Sequence, residues 1–280
     1  MRVLIDGVAT PEADASVPVF DWIVIRGFGV FEVVRSYQGA LFRLDPHLDR
    51  LERGAAALEI AHPARERIAA WAAEVAGAMG DGQVRIILTG GGRDRFVAVE
   101  PRSVVMWEPV PEMPERLSVL PMAAPWHPGT DASGFPGVKW VSYAPNSAST
   151  DRARRAGFSD ALLTTVEGTV LEGPTFTVAW VTAGRVETPS LDLGILPSIT
   201  RDVMLECAAR LGIGVAEGRY PLERLLAADE VLALSTSKQV MPIRRIGEHE
   251  VASGSITADL ARAFGEVVRA ETGHDPAAIP

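Results

Sequence analysis

Cysteine occurs once in 280 residues, as Cys207, so the chain cannot close an internal disulfide, and one thiol builds neither a zinc nor an iron–sulfur site. A reducing compartment is expected. Histidine is almost as sparse. His47, His62, His127, His249 and His274 fall in no ligand spacing of the H-E-x-x-H kind, and no metal is expected. There is no G-x-S-x-G elbow for a hydrolase serine. No uncharged apolar run approaches the roughly 18 residues that cross a bilayer, which argues against a membrane partner. Met1-Arg2-Val3-Leu4-Ile5 meets Asp6 too early for a secretory signal, so the expected location is cytoplasmic. Positive charge is in deficit, 27 Lys and Arg against 36 Asp and Glu, and a net charge of -9 repels phosphate backbones and anionic headgroups; nucleic acid is not an expected partner.

What is present is ordinary globular material, 47% hydrophobic and 22% charged, with no internal repeat. The length suits about two domains at roughly 150 residues each. Residues 30–43 read as a hairpin turning at Gln38-Gly39, since β-branched and aromatic residues flank a glycine. From Pro46, Leu48, Leu51, Ala55 and Leu58 recur at helical steps, placing His47 and Arg50 near a helix start. A second helix is expected over 63–79, and strands over 84–88, 103–109 and 117–122. The Pro- and Gly-rich stretch 121–137 reads as an interdomain loop between a small N-terminal domain, 1–120, and a larger C-terminal one, 138–280. Beyond it come a helix over 149–156, a strand over 160–165 and a hairpin over 178–187. A helix from about Thr200 buries Val203, Met204, Cys207 and Leu211; a strand over 230–235 and a helix over 257–271 follow. Irregular interleaving of strands and helices points to α+β in two lobes.

Two ionisable residues stand in apolar company. Lys139 lies in Gly137-Val138-Lys139-Trp140-Val141-Ser142-Tyr143, where desolvation would lower an amine's pKa and keep it nucleophilic toward a carbonyl; a snorkelling surface lysine fits the same neighbours. Glu172 ends the apolar run Val170-Leu171, and on its own reads as readily as a surface carboxylate.

Order and spacing single them out. Gly27-Phe28-Gly29-Val30-Phe31-Glu32 resembles a G-D-G-V-F-E stretch, and His47-Leu48-Asp49-Arg50-Leu51 an H-L-x-R-L helix. Lys139 through Tyr143 resembles K-x-x-x-Y, Glu172-Gly173 an E-G pair, and Ile195 through Arg201 I-L-P-G-I-T-R; Glu230, Thr236 and Pro242 keep the spacing of the E, T and P that follow. Together these blocks resemble the fold-type IV pyridoxal phosphate enzymes: branched-chain aminotransferases, D-amino acid aminotransferases and aminodeoxychorismate lyases. The resemblance implies a two-domain α+β enzyme with a small N-terminal α/β domain and a C-terminal domain with a β-barrel-like core, acting as a homodimer on amino acids and 2-oxo acids. It implies pyridoxal 5'-phosphate held by Lys139 as an aldimine, with Lys139 also carrying the α-proton. Glu172 would keep the ring nitrogen protonated, Tyr143 would donate to the ring's phenolate oxygen, and Arg50, Thr236 and the N–H groups of Ile199 and Thr200 would receive the phosphate.

Departures bear on the substrate. Phe28 replaces an aspartate, Ser198 and Ser235 stand where glycine is usual, and Thr177 stands where many members have asparagine. Gly90 takes the place of an arginine that D-amino acid aminotransferases and the lyases usually carry, while the R-P pair of the branched-chain enzymes is Arg85-Ile86 here. Arg26, Arg93 and Arg95 are then the candidates to receive a substrate carboxylate. The resemblance favours a D-amino acid aminotransferase, then the lyase, then branched-chain transamination; a cofactor-binding regulatory relic is the non-enzymatic alternative.

Overall fold

The computed structural model describes residues 3–94, 97–114, 117–127, 135, 137–252 and 254–276. It divides into two compact units, Met1–Pro111 with Val138–Tyr143 and Val268–Pro280, and Glu112–Gly137 with Ala144–Val267. This differs from a division at 121–137 for physical reasons. Residues 138–143 hydrogen-bond to a strand of the first unit: the Phe31 N–H donates to the Lys139 carbonyl at 3.0 Å and the Val141 N–H to that of Gly29 at 2.8 Å. Residues 117–123 pair with strands of the second.

The first unit contains β1 (Val3–Ile5), β2 (Val8–Thr10), α1 (Trp22–Arg26), β3 (Gly29–Tyr37), β4 (Ala40–Leu41), α2 (Leu44–Ala57), α3 (Arg65–Met79), β5 (Gly82–Thr89), β6 (Gly92–Asp94), β7 (Val97–Val99) and β8 (Ser103–Glu108). Six strands form an antiparallel sheet in the order β2-β1-β8-β5-β3-β4. The turn at Gln38-Gly39 has positive φ at both residues, 52° and 97°, as a tight two-residue hairpin requires. Side chains alternate across the sheet. Val30, Glu32 and Val34 of β3, Val84, Ile86 and Leu88 of β5 and Val105 of β8 have at most 1% exposure, in a core with Leu48, Leu51 and Ala55 of α2 and Ile68, Ala72 and Val75 of α3. On the opposite face Phe31, Val33, Arg85, Ile87 and Met106 are only half-buried. α2 begins two residues before Pro46, which costs nothing in a first turn whose N–H groups lack intrahelical partners.

The second unit contains β9 (Leu117–Ala123), α4 (Ala144–Arg155), β10 (Asp160–Thr164), β11 (Thr177–Thr182), β12 (Arg185–Pro189), α5 (Ile199–Arg210), β13 (Val215–Gly218), α6 (Leu222–Leu226), β14 (Glu230–Ser235), β15 (Gln239–Ile246) and β16 (His249–Glu250); α7 (Ser255–Thr272) runs from this unit into the end of the first. Its sheet is mixed, in the order β10-β9-β15-β14-β11-β12-β13 with β16 on β15. Val231 to Leu234 of β14 are buried without alternation, as in a strand covered on both faces, and α5 packs on β14 and β15. α4 starts five residues before the expected helix, because Pro145 is tolerated in its first turn. Leu211, expected on the buried stripe of α5, is 37% exposed; the helix ends at Arg210 and Leu211 is its C-cap. Trp180 has no exposed surface, and its indole N–H donates to Glu187 at 2.8 Å.

Among the described residues no helix is long and apolar enough to cross a membrane. Leu51, 1% exposed, has core neighbours on α3 and the sheet, so Leu51→Ala should cost about 2–5 kcal/mol, whereas Leu211→Ala should cost less than about 0.5. Thermal melts of both variants check the contrast; equal effects would place Leu51 outside the core.

Candidate active site

In the first unit, the segment carrying Lys139 is fixed by its backbone before its side chain matters. A Val30–Trp140 bridge lies between the two hydrogen bonds that pin Lys139 and Val141 to β3. The Lys139 amine then lies 4.6 Å from the Phe31 ring centroid, a cation–π distance, and the Tyr143 ring meets Phe31 edge-on at 5.9 Å. Two residues four apart in sequence thus converge on one aromatic ring. The Ser142 hydroxyl donates to the Gly27 carbonyl at 3.0 Å. Gly27 has φ of 65°, and a Cβ there would fall 2.7 Å from the Ser142 oxygen, so the approach requires glycine.

On the inner face of β3, Glu32 has no exposed surface. Arg50 grips its carboxylate with two parallel bonds, Nε at 2.6 Å and Nη2 at 2.8 Å, and His47 Nδ1 lies 2.7 Å from Oε2. α2 places His47 and Arg50 on one face by their i, i+3 spacing. Burial alone would raise the Glu32 pKa, but the Arg50 charge and the hydrogen bonds from Arg50 and His47 carry it well below the carboxylate range. Burial pushes the His47 pKa below its usual 6.5 despite the Glu32 hydrogen bond, and the charges of Arg50 and Lys139 push the same way. His47 is therefore neutral at pH 7, with Nδ1–H donating to Glu32.

In the second unit, the Glu172 carboxylate accepts from the Leu196 N–H at 3.3 Å and pairs with His127 Nε2 at 3.1 Å. α5 starts at Ile199, so the N–H groups of Ile199 and Thr200 lie in the first turn, outside the intrahelical ladder. Ser198 caps this helix, its hydroxyl accepting from the Arg201 N–H at 3.3 Å. Thr236 lies in the tight connection between β14 and β15, where the Ser235 hydroxyl accepts from the Lys238 N–H at 3.1 Å. Both serines that replace glycine thus hold a turn with their side chains. The amine of Lys238 donates to the Thr175 hydroxyl at 2.9 Å, which donates in turn to Asp160, and burial lowers its pKa.

A family described as Amino-transferase class IV matches residues 29–246. The chain belongs to the class IV aminotransferases. It is 29% identical to a putative branched-chain-amino-acid aminotransferase of Methanocaldococcus jannaschii over 95% of this chain and 96% of that one. It is 30% identical to a D-alanine aminotransferase of Listeria innocua, covering 96% and 97%, and 29% identical to the aminodeoxychorismate lyase of Bacillus subtilis, covering 90% and 89%. Among solved structures, a branched-chain aminotransferase of Thermoproteus uzoniensis with norvaline superposes with a TM-score of 0.84 at 26% identity, covering 98% and 95%.

This aminotransferase uses pyridoxal 5'-phosphate. Its residues fit that group by donor chemistry. Taken by itself, the first unit holds an amine and a buried guanidinium; taken by itself, the second holds a hydrogen-bonded carboxylate, a capped helix start and a hydroxyl-bearing turn. Of the residues singled out in sequence, Lys139, Tyr143, Arg50 and Arg26 lie in the first unit, and Glu172, Ile199, Thr200 and Thr236 in the second. The Arg26 guanidinium lies 5.5 Å from the Trp22 ring centroid at the exposed end of α1. Arg93 is on β6, with its side chain outside the described part, and Arg95 lies outside the described residues. Sequence reasoning gave no role to Glu32, His47 or His127. The first two stand inside the quoted motifs, and the alternation of β3 with the i, i+3 step of α2 is the signal that pairs them. Among the described residues no group of three or more His, Cys, Asp or Glu side chains could hold a metal ion.

The Glu32 cluster has a pH signature. Both pKa values fall below their unfolded values, so the unfolded chain binds more protons and stability falls with acid. His47 contributes fully above its unfolded value of 6.5 and Glu32 above 4.5, each contribution fading as pH drops toward the folded pKa. His47→Gln should flatten the fall in Tm between pH 6.5 and 4.5. A wild-type slope in the variant would show that His47 is not held neutral by the fold.

Proposed function

We propose that the enzyme moves the amino group of a D-amino acid to a 2-oxo acid, with Lys139 as the amine that holds the cofactor. The observation that carries this reading is the placement of Lys139, whose backbone is fastened to β3 and whose amine rests on Phe31 of that strand. When bound, pyridoxal phosphate accepts the electron pair released as the substrate's Cα–H bond breaks. Lys139 moves that proton through Nζ. Glu172, oriented by Leu196 and His127, holds the proton on the ring nitrogen, and Tyr143 donates a hydrogen bond to the ring oxygen. Arg50, Thr236 and the N–H groups of Ile199 and Thr200 hold the phosphate, and Glu32 keeps the Arg50 guanidinium in a fixed plane for it.

The D configuration is supported by the Listeria relative and by Ile86 in place of the proline of an R-P pair. A second reading, an L-amino acid with a branched apolar side chain, is favoured by the half-buried Phe31, Val33, Ile87 and Met106 on the sheet face that carries the Lys139 amine. Assays with D-alanine, L-leucine and aminodeoxychorismate as separate substrates decide between these and lyase activity. The enzyme acts as a homodimer in the cytoplasm on this reading. Val19, Phe20, Val24 and Ile25, all 47% or more exposed in the single chain, support self-association; a fully active monomer by light scattering would refute it.

Borohydride should fix the cofactor to Lys139 and not to Lys238, whose amine is tied to Thr175; a label on Lys238 would sink the assignment. Glu172→Gln should retain the cofactor and slow the half-reaction by orders of magnitude, and Arg50→Ala should lower cofactor retention more than the turnover of the loaded fraction. Arg26→Ala should raise KM for amino acids roughly 30- to 150-fold, the equivalent of a lost bidentate contact of about 2 to 3 kcal/mol. If substitution of Arg93 or Arg95 has that effect and Arg26→Ala does not, the carboxylate is received on the 93–95 segment.

A further inference from the structure

The Lys139 amine and the Arg85 guanidinium share one ring. The amine lies 4.6 Å and the guanidinium carbon 5.3 Å from the Phe31 centroid, both within cation–π distance. Arg85 reaches this ring from β5, and its charge is already answered. Glu108, on the adjacent strand β8, takes Nε at 2.7 Å and Nη2 at 2.9 Å in a forked pair, and Gln83 donates to the same carboxylate at 3.2 Å. The pair is not core: the two side chains are 27% and 24% exposed, on the sheet face that also carries Phe31, Val33, Ile87 and Met106.

We propose that Glu108 is a specificity-determining residue which, by neutralising Arg85 beside the Lys139 amine, selects substrates with uncharged side chains. The inference rests on the reading of Lys139 as the amine at which amino groups are exchanged. An apolar side chain meets aromatic and aliphatic surface beside a closed ion pair. A side-chain carboxylate must share a guanidinium whose fork is occupied and approach a second carboxylate, a like-charge contact that discriminates against it. Removing the Glu108 charge leaves the same guanidinium as an open receptor for that carboxylate.

The test uses the holoenzyme with one amino donor and two acceptors, pyruvate and 2-oxoglutarate, together with calorimetric titration of glutarate, a dicarboxylate that cannot react. Glu108→Gln keeps the side-chain shape and removes the charge. It should raise kcat/KM for 2-oxoglutarate relative to pyruvate about tenfold or more and tighten glutarate binding in proportion. Glu108→Ala should shift both readouts in the same direction, and adding Arg85→Met to Glu108→Gln should return both toward the wild-type values. An acceptor ratio and glutarate affinity unchanged within about twofold in both Glu108 variants overturn the proposal, as does a gain that survives Arg85→Met. Borohydride labelling separates the two levels of the argument. Without a Lys139 adduct in the wild type, the transaminase reading fails and the inference with it; with the adduct intact and the acceptor ratio flat, only the role of Glu108 fails.

Discussion

A carboxylate with no exposed surface is the constraint on which the first unit turns. Glu32 is unaffordable as an isolated buried charge, so α2 must deliver Arg50 and His47 to the inner face of β3, and only a helix with both on one side can do so. The same strand presents Phe31 on its other face, where the Lys139 amine and the Tyr143 ring meet it. β3 therefore sets two things at once through the pleat alone. Residue 32 fixes the guanidinium beneath the sheet, and residue 31 fixes the amine above it. A one-residue slip in the register of β3 would exchange the faces and abolish both arrangements.

This dependence accounts for the electrostatics of the cluster. Removing one member of a buried charge pair leaves the other uncompensated, which is costlier than never having buried the pair. His47 adds a neutral donor and no further charge, because burial and the nearby cations disfavour its protonated form. The carboxylate thus keeps one cationic and one neutral partner, and Arg50 is held as a planar fork instead of a mobile side chain.

Much of this was legible in the sequence. The hairpin at Gln38-Gly39 and the β14 strand were readable from period and turn chemistry, while Arg50, Lys139, Tyr143, Glu172 and Thr236 were named as cofactor-binding candidates by the resemblance alone. What could not be read depended on partners distant in sequence. Val138–Tyr143 joins the first unit through backbone bonds to Gly29 and Phe31, which leave no mark in side-chain pattern. Glu32 sits 15 residues from His47 and 18 from Arg50, so pairing requires the strand and helix to be packed before the spacing means anything. His127 gave no signal beyond its type, since its contact with Glu172 spans 45 residues. Leu211 fits the helical stripe by spacing, but spacing does not tell where a helix stops.

The departures from the motif are likewise not independent of one another. A Cβ at Gly90 would lie 2.4 Å from the Phe28 ring and 2.8 Å from its backbone carbonyl, so any side chain at position 90 requires both the ring and the chain at position 28 to shift. The Phe28 ring is fixed in turn, edge-on to Trp22 at 5.8 Å, and the Gly90 N–H donates to the Phe28 carbonyl at 2.9 Å. The Phe28 ring therefore packs directly against the backbone at position 90. Ser198 and Ser235 differ in kind, since each stands where glycine is usual at an ordinary backbone turn and adds a hydroxyl that closes it. Ser198 and Ser235 thus hold the start of α5 and the β14–β15 turn with side-chain bonds, whereas Phe28 and Gly90 pack directly against each other in the first unit.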